Sequence, residues 1–337
     1  MLPYALIDLH CDTLTALTPE DAPLLAALQD PARREQTVSV FAERVRAVNT
    51  LDLPGRHFSL SAIPEEVRWC QCCAIFIPDE LSPEESAAYY ALHQRSFDRQ
   101  MEALSERVRP CRTAADIEAA WAAGKTAAIL TVENGSALAG RLERIEVLAR
   151  DGVRMMTLTW NGENELGSGN ATGHGLSEFG KEAVRELERA GILADVSHLN
   201  DRGFDDFLSV STKPFAASHS NARSACGHLR NLTDGQIREM VERKCLIGLN
   251  YSKGFLKDGG QDVVMEDLFR HVARFLELGA EQALALGSDF DGTDVPPCLD
   301  SMEKAAGLYG YFLQRGLSPG LADQIMWKNA VDFFHCN

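Results

Sequence analysis

Eight short apolar runs rich in β-forming residues recur along this chain, separated by longer amphipathic stretches, and this recurrence narrows its fold more than any other feature. The runs cover residues 5–12, 70–77, 126–134, 153–160, 192–198, 214–220, 245–251 and 283–291. Apolar residues are nearly continuous within each run, as a parallel strand covered on both faces requires. The stretches between them carry helix signals. Pro83 follows Ser82 at a first-turn position where its missing N–H is not needed, and opens a helix expected to reach Arg109. Thr113 with Asp116 opens a helix over 117–123 that Gly124 ends, and Thr233 with Gln236 repeats the capping box ahead of 237–243. Residues 264–278 are amphipathic, with Gly279 just after them.

Strand–helix alternation eight times over predicts an α/β fold of the (β/α)8 TIM-barrel kind. An open doubly wound sheet gives a similar string, but no dinucleotide-binding glycine fingerprint follows the first run. The 337 residues contain no Gly/Ser- or Pro-rich linker, so one domain over 1–337 is expected. Residues 13–69 form a long first connection broken by Pro19, Pro23, Pro31 and Pro54, which reads as an elaborated loop near the site.

A formal net charge of −16 argues against nucleic acid, whose phosphates need clustered Lys and Arg. A metal ion or small molecule suits the balance better. The start, Met1-Leu-Pro-Tyr4, has no basic leader region, no stretch approaches ~20 apolar residues, and the end lacks a lipid-anchor tail. A cytoplasmic protein without a membrane anchor is expected. Nine cysteines, several in apolar runs, read as reduced thiols; Cys70, Cys72 and Cys73 lack the paired second half of a zinc knuckle and read as core packing.

Chemistry-bearing residues collect at the ends of the runs. His10 and Asp12 close the first, Glu133 the third, His198 the fifth, His219 the sixth and Asp289 the eighth. In a barrel the C-terminal strand ends converge on one face, where catalytic residues of this architecture sit. His10 and Asp12 are one residue apart, so period-two alternation sends both to the same side while Cys11 points elsewhere. Two more imidazoles, His198 and His219, suit a second divalent ion, and a carboxylate such as Glu133 can bridge two cations. A single strand-end histidine is more often structural than a ligand, but burying three histidines and three carboxylates unpaired would cost several kcal/mol each. His57, His93, His228, His271 and His335 fall in loop or helical contexts and read as surface or structural.

Asp8-Leu-His-Cys-Asp12, Thr131-Val-Glu-Asn-Gly135, Asp195-Val-Ser-His198, Ala217-Ser-His-Ser220 and Gly287-Ser-Asp-Phe-Asp-Gly292 occur in order across the chain. Together with Gly175-Leu-Ser-Glu-Phe-Gly180 they resemble the membrane (renal) dipeptidase family. The resemblance implies a zinc-dependent enzyme that hydrolyses dipeptides, including those with a D-residue second, using two Zn2+ ions. Position by position, it implies His10 and Asp12 on one ion, His198 and His219 on the other, Glu133 between them, and Asp289 as the carboxylate that handles the proton. Arg230, in His228-Leu-Arg-Asn231, matches the family's clamp on the substrate carboxylate, a pairing that suits the guanidinium fork. Tyr251 is expected either to line the pocket or to pack. Homodimers are frequent in the family.

One departure stands out. Where many members carry a histidine after Thr-Leu-Thr, this chain has Thr157-Leu-Thr-Trp160-Asn161. That histidine holds the scissile carbonyl; Trp160 and Asn161 remain as donors there, and His174 lies further along. Losing one such donor commonly costs about 3 kcal/mol in the transition state, so rate and substrate range are open. Alternatives are a related hydrolase of lactams, cyclic amides or N-acyl amino acids, and a barrel impaired in catalysis. A phosphotriester-type barrel pairs two histidines on its first strand and uses a bridging lysine, unlike His10-x-Asp12 and Glu133. The metal is not fixed by sequence, since Mn2+ and Co2+ accept the same ligands.

Overall fold

The computed structural model describes residues 1–16 and 50–337. Its strands are β1 (Ala5–Cys11), β2 (Arg68–Phe76), β3 (Val108–Pro110), β4 (Thr126–Glu133), β5 (Met155–Thr157), β6 (Leu193–Asp195), β7 (Ala216–Ala217), β8 (Leu246–Leu249) and β9 (Leu284–Leu286). They lie in the order β2-β1-β9-β8-β7-β6-β5-β4-β3, and a further pairing of β2 with β4 closes eight of them into a parallel barrel. Each of the eight apolar runs coincides with one barrel strand, β2 starting two residues ahead of its run, so the (β/α)8 expectation holds. β3 is the addition. It pairs with Thr126–Ala128 at the start of β4, while β5 takes Thr131 and Val132 further along. With three residues and one buried side chain, it leaves no apolar run to find.

The helices are α1 (Pro83–Ala103), α2 (Ala114–Ala122), α3 (Arg144–Asp151), α4 (Glu178–Ala190), α5 (Asp201–Val210), α6 (Asp234–Glu242), α7 (Lys253–Leu256), α8 (Met265–Glu277), α9 (Met302–Gln314), α10 (Pro319–Asp323) and α11 (Asn329–Cys336). The capping boxes at Thr113 and Thr233 form as read, and Ser82 forms another with Glu85 ahead of α1, each satisfying otherwise orphaned backbone N–H groups. α1 stops at Ala103, short of Arg109, because the chain turns there into β3. Most of the expected loop over 13–69 lies outside the described residues. Its described end packs on the turn after β9, where His57 N donates to Asp291 Oδ1 at 3.0 Å and Asp291 N donates to His57 Nδ1 at 3.0 Å.

Two apolar cores flank the barrel wall. The inner one draws Ile7, Cys70, Ala127, Met155, Leu193, Ala216, Leu246 and Ala285 from the eight strands, with Val331, Phe333 and Phe334 of α11 packed onto it. The outer one lies between wall and helices. All nine cysteines are free; Cys70 and Cys72 sit in the inner core, and Cys11 and Cys73 in the outer.

β1 carries a bulge that matters for the site. Asp8 pairs with Gln71 but Cys11 with Cys73, so β1 spends three residues where β2 spends two. Before the bulge Ile7 faces inward beside Cys70; beyond it Cys11 faces outward beside Cys73 and leaves His10 and Asp12 turned toward the barrel axis. Among the described residues no helix is long and apolar enough to cross a membrane.

Candidate metal and active site

Five strand ends deliver six side chains to one mouth of the barrel. His10 Nε2 lies 3.5 Å from Asp12 Oδ2 and 3.5 Å from Glu133 Oε2. The other Glu133 oxygen, Oε1, lies 2.8 Å from His198 Nε2 and 3.7 Å from His219 Nε2, and those two nitrogens are 2.9 Å apart. The His10 and His219 rings stack with centroids 3.9 Å apart. Ligand atoms of His10, Glu133 and His219, and again of His10, Asp12 and Asp289, fall within 4.8 Å of one another. All are buried. The backbone is forced at three of these strand ends: Asn134 after Glu133 has φ 84°, His198 φ 73° and Asp289 φ 61°, a left-handed region that non-glycine residues rarely occupy and that clusters at functional sites.

Charge explains why these groups need a cation. Burial pushes the Glu133 carboxyl up to about 8, with Asp12 adding to the rise and His10 opposing it. Burial likewise takes Asp289 to about 6, opposed by His10 and raised further by Asp12. Burial alone would depress His10, but Glu133 and Asp12 beside it hold its pKa well above the ordinary value. His198 and His219 go the other way. Burial, reinforced by the nearby Arg230 and His10, keeps both imidazoles neutral with ring lone pairs free to ligate. Two neutral Nε2 atoms facing each other and one carboxylate oxygen is a donor set for a divalent ion. His10 Nε2 and Asp12 Oδ1 are buried and have no hydrogen-bond partner, an arrangement that is costly unless something else engages them. The residues therefore fit metal.

The sequence profile of the membrane dipeptidase family (peptidase family M19) matches residues 3–335. The chain belongs to that family. As a membrane dipeptidase family member it is a metal-dependent peptide hydrolase. A protein encoded in the pqqA 5′ region of Klebsiella pneumoniae is 30% identical over 234 residues, 66% of this chain and 86% of the relative. The dipeptidase tcpJ of Claviceps purpurea is 30% identical over 243 residues, 70% of this chain and 56% of the relative. Among solved structures, the metallopeptidase dipeptidase AC of family M19 superposes with a TM-score of 0.82 at 25% identity, covering 98% of each chain. A metallopeptidase from Rhodobacter sphaeroides, liganded with a phosphinate mimic of the dipeptide L-Ala-D-Ala, gives 0.83 at 24% identity over 98% of this chain and 99% of its own.

Arg230, the position that the membrane dipeptidase resemblance assigns to substrate, and the further pocket candidates Trp160, Asn161 and Tyr251 all follow barrel strands. Arg230 is 5% exposed, donates from Nη2 to the His219 carbonyl at 3.3 Å, and keeps its buried Nε without a protein partner. Trp160 meets Phe76 edge-on at 4.9 Å and stands 6.4 Å from the His198 ring. Tyr251 is buried with its ring edge-on to Phe290. Asn161 turns its Oδ1 to His198 Nδ1 at 3.0 Å. His174 is exposed and pairs with Glu163 at 3.1 Å, away from the ligands.

A second layer of residues went unassigned in the sequence. Asp195 accepts from Ser218 Oγ and from Thr157 Oγ1 (3.2 Å), and Ser218 Oγ lies 2.7 Å from His219 Nδ1. Asn250 Nδ2 donates to Asp289 Oδ2 at 3.0 Å, leaving Oδ1 toward the site. Asp8 accepts from Ser288 N (2.7 Å) and Ser288 Oγ (2.6 Å), which fixes the turn into Asp289. Asp8, Asp195 and Ser218 lie inside the family motifs, and a polar residue embedded in an apolar run was the available signal.

Proposed function

We propose that this chain hydrolyses dipeptides at a two-zinc centre in which His10 and Asp12 hold one ion, His198 and His219 the other, and Glu133 both. What supports this reading most is the meeting of five ligand-type side chains around orphaned His10 Nε2 and Asp12 Oδ1 in a member of a metallopeptidase family. Divalent ions held there would supply Lewis acidity and bring the pKa of a water near ~7. Asp289 takes the proton of the attacking water on Oδ1, its Oδ2 being held by Asn250, and delivers it to the departing amine. Arg230 binds the free carboxylate one residue beyond the cut bond, which limits substrates to short peptides. Trp160 and Tyr251 form walls of the pocket, and dipeptides with a D-residue second are included among the substrates.

A second reading, hydrolysis of another amide bearing a free carboxylate such as an N-acyl amino acid, draws on Trp160 at the usual histidine position. One experiment separates them: metal analysis with a panel of dipeptides, lactams and N-acyl amino acids, on wild type and Asp289→Asn. We expect about two ions per chain, turnover of dipeptides, and a variant that keeps metal but loses most of kcat. Turnover confined to the other amides would favour the second reading, and a metal-free, inactive protein would end both.

A further inference from the structure

Asn161 stands where a substrate donor is expected, yet its amide oxygen faces a metal ligand. His198 turns Nε2 toward Glu133 and His219, so an ion there requires the ring proton on Nδ1, and the acceptor for that proton is Asn161 Oδ1 at 3.0 Å. A ligating histidine commonly donates its second nitrogen to such an acceptor, which fixes both tautomer and ring angle.

The segment carrying Asn161 is pinned in place. Asp79 accepts from Gly162 N at 2.7 Å and from Asn134 Nδ2 at 2.8 Å, tying this segment to the residue that follows Glu133. Asn134 Nδ2 also donates to Ile77 O, and its Oδ1 accepts from Asn164 Nδ2 at 2.8 Å. From the far side Gly169 N donates to Gly162 O at 2.7 Å and Ala171 N to Asn161 O at 2.9 Å. Close approach depends on two glycines. A Cβ at Gly162 would meet Asp79 Oδ2 at 2.7 Å, and one at Gly169 would overlap the Trp160 carbonyl. Such bracing is what a positioning group needs, because a ligand held loosely by about 1 Å loses its geometry.

We propose that Asn161, braced by Asp79, is a positioning residue that locks His198 as a metal ligand and does not serve as a donor to the substrate. The proposal rests on the two-zinc peptidase reading. Its test compares wild type, Asn161→Ala, Asn161→Asp and Asp79→Asn, measuring zinc affinity by competition with a chromogenic chelator, and kcat and KM at saturating zinc. Asn161→Ala should weaken one of the two zinc sites roughly 10- to 100-fold and recover turnover as zinc is raised. Asn161→Asp keeps the acceptor and removes the amide donor, so it should bind zinc at least as tightly as wild type and keep its kcat. Asp79→Asn should weaken the same zinc site by a smaller factor. Unchanged zinc affinity in Asn161→Ala, or a large loss of kcat in Asn161→Asp at full occupancy, overturns the proposal and makes Asn161 a substrate donor. Wild type that takes up no zinc overturns the peptidase reading as well, so the two failures are told apart.

Discussion

Replacing Arg230 by methionine isolates the one contact that would set substrate length. Arg230 is 5% exposed, lies over the Phe255 ring at 5.4 Å, and spends Nη2 on the His219 carbonyl while Nε has no protein partner. Burial lowers its pKa, and the Asp289 and Glu133 carboxylates oppose that, so the charge is retained in a desolvated place. Methionine approximates the stem and leaves no new buried charge behind. Removing one partner of a buried charge-assisted pair costs 2–5 kcal/mol, and taking ~3 kcal/mol at about 1.4 kcal/mol per decade gives roughly a 100-fold loss of kcat/KM. The substrate carboxylate does not change during the reaction, so the loss belongs in KM more than in kcat. The assay is steady-state hydrolysis of one dipeptide and of its C-terminal amide by both proteins, at equal zinc content. Wild type should prefer the free acid by on the order of 100-fold and Arg230→Met should treat the two nearly alike. A variant that keeps the full preference would show that another group reads the carboxylate.

Three further outcomes follow from the same description. Ser218→Ala breaks the link from Asp195 to His219 Nδ1, and chelator competition should show zinc affinity down by about 10-fold with the fold intact by circular dichroism. Phe207 is fully buried against Phe215 at 4.7 Å, and Phe207→Ala should lower unfolding free energy in urea by about 3–5 kcal/mol. Burial raises the Asp79 carboxyl from 3.8 to about 6, against the Gly162 N–H that stabilises its charge. A raised folded pKa gives stability that is present below the unfolded value and lost as pH climbs through the folded one. The stability of wild type relative to Asp79→Asn should therefore fall between about pH 4 and pH 6, by no more than about 3 kcal/mol, and stay level above; a gain over that window would contradict the assignment.

The barrel could be read from sequence because strands buried on both sides must be apolar throughout, and eight such runs leave few closed arrangements. The candidate ligand positions could be read for a related reason: a histidine or carboxylate at the end of an apolar run has nowhere inexpensive to go. Other features have no such signature. β3 has too few buried residues to register, and the brace from Asp79 to Gly162 joins positions 83 residues apart through a backbone N–H that every residue but proline carries. Asn161 was legible as a polar group beside the site, but its partner was not, since which way an amide turns depends on the loop that Gly169 closes.

The offset in β1 means that ion-binding capacity is written here as a count as well as a spelling. Had the same residues paired one for one with β2 beyond Asp8, His10 would stand opposite Cys73 and face outward, and Cys11 would turn to the axis, a thiol where an imidazole belongs. The one extra residue is therefore what lets this stretch present His10 and Asp12 to the axis while Cys11 stays packed outside the wall.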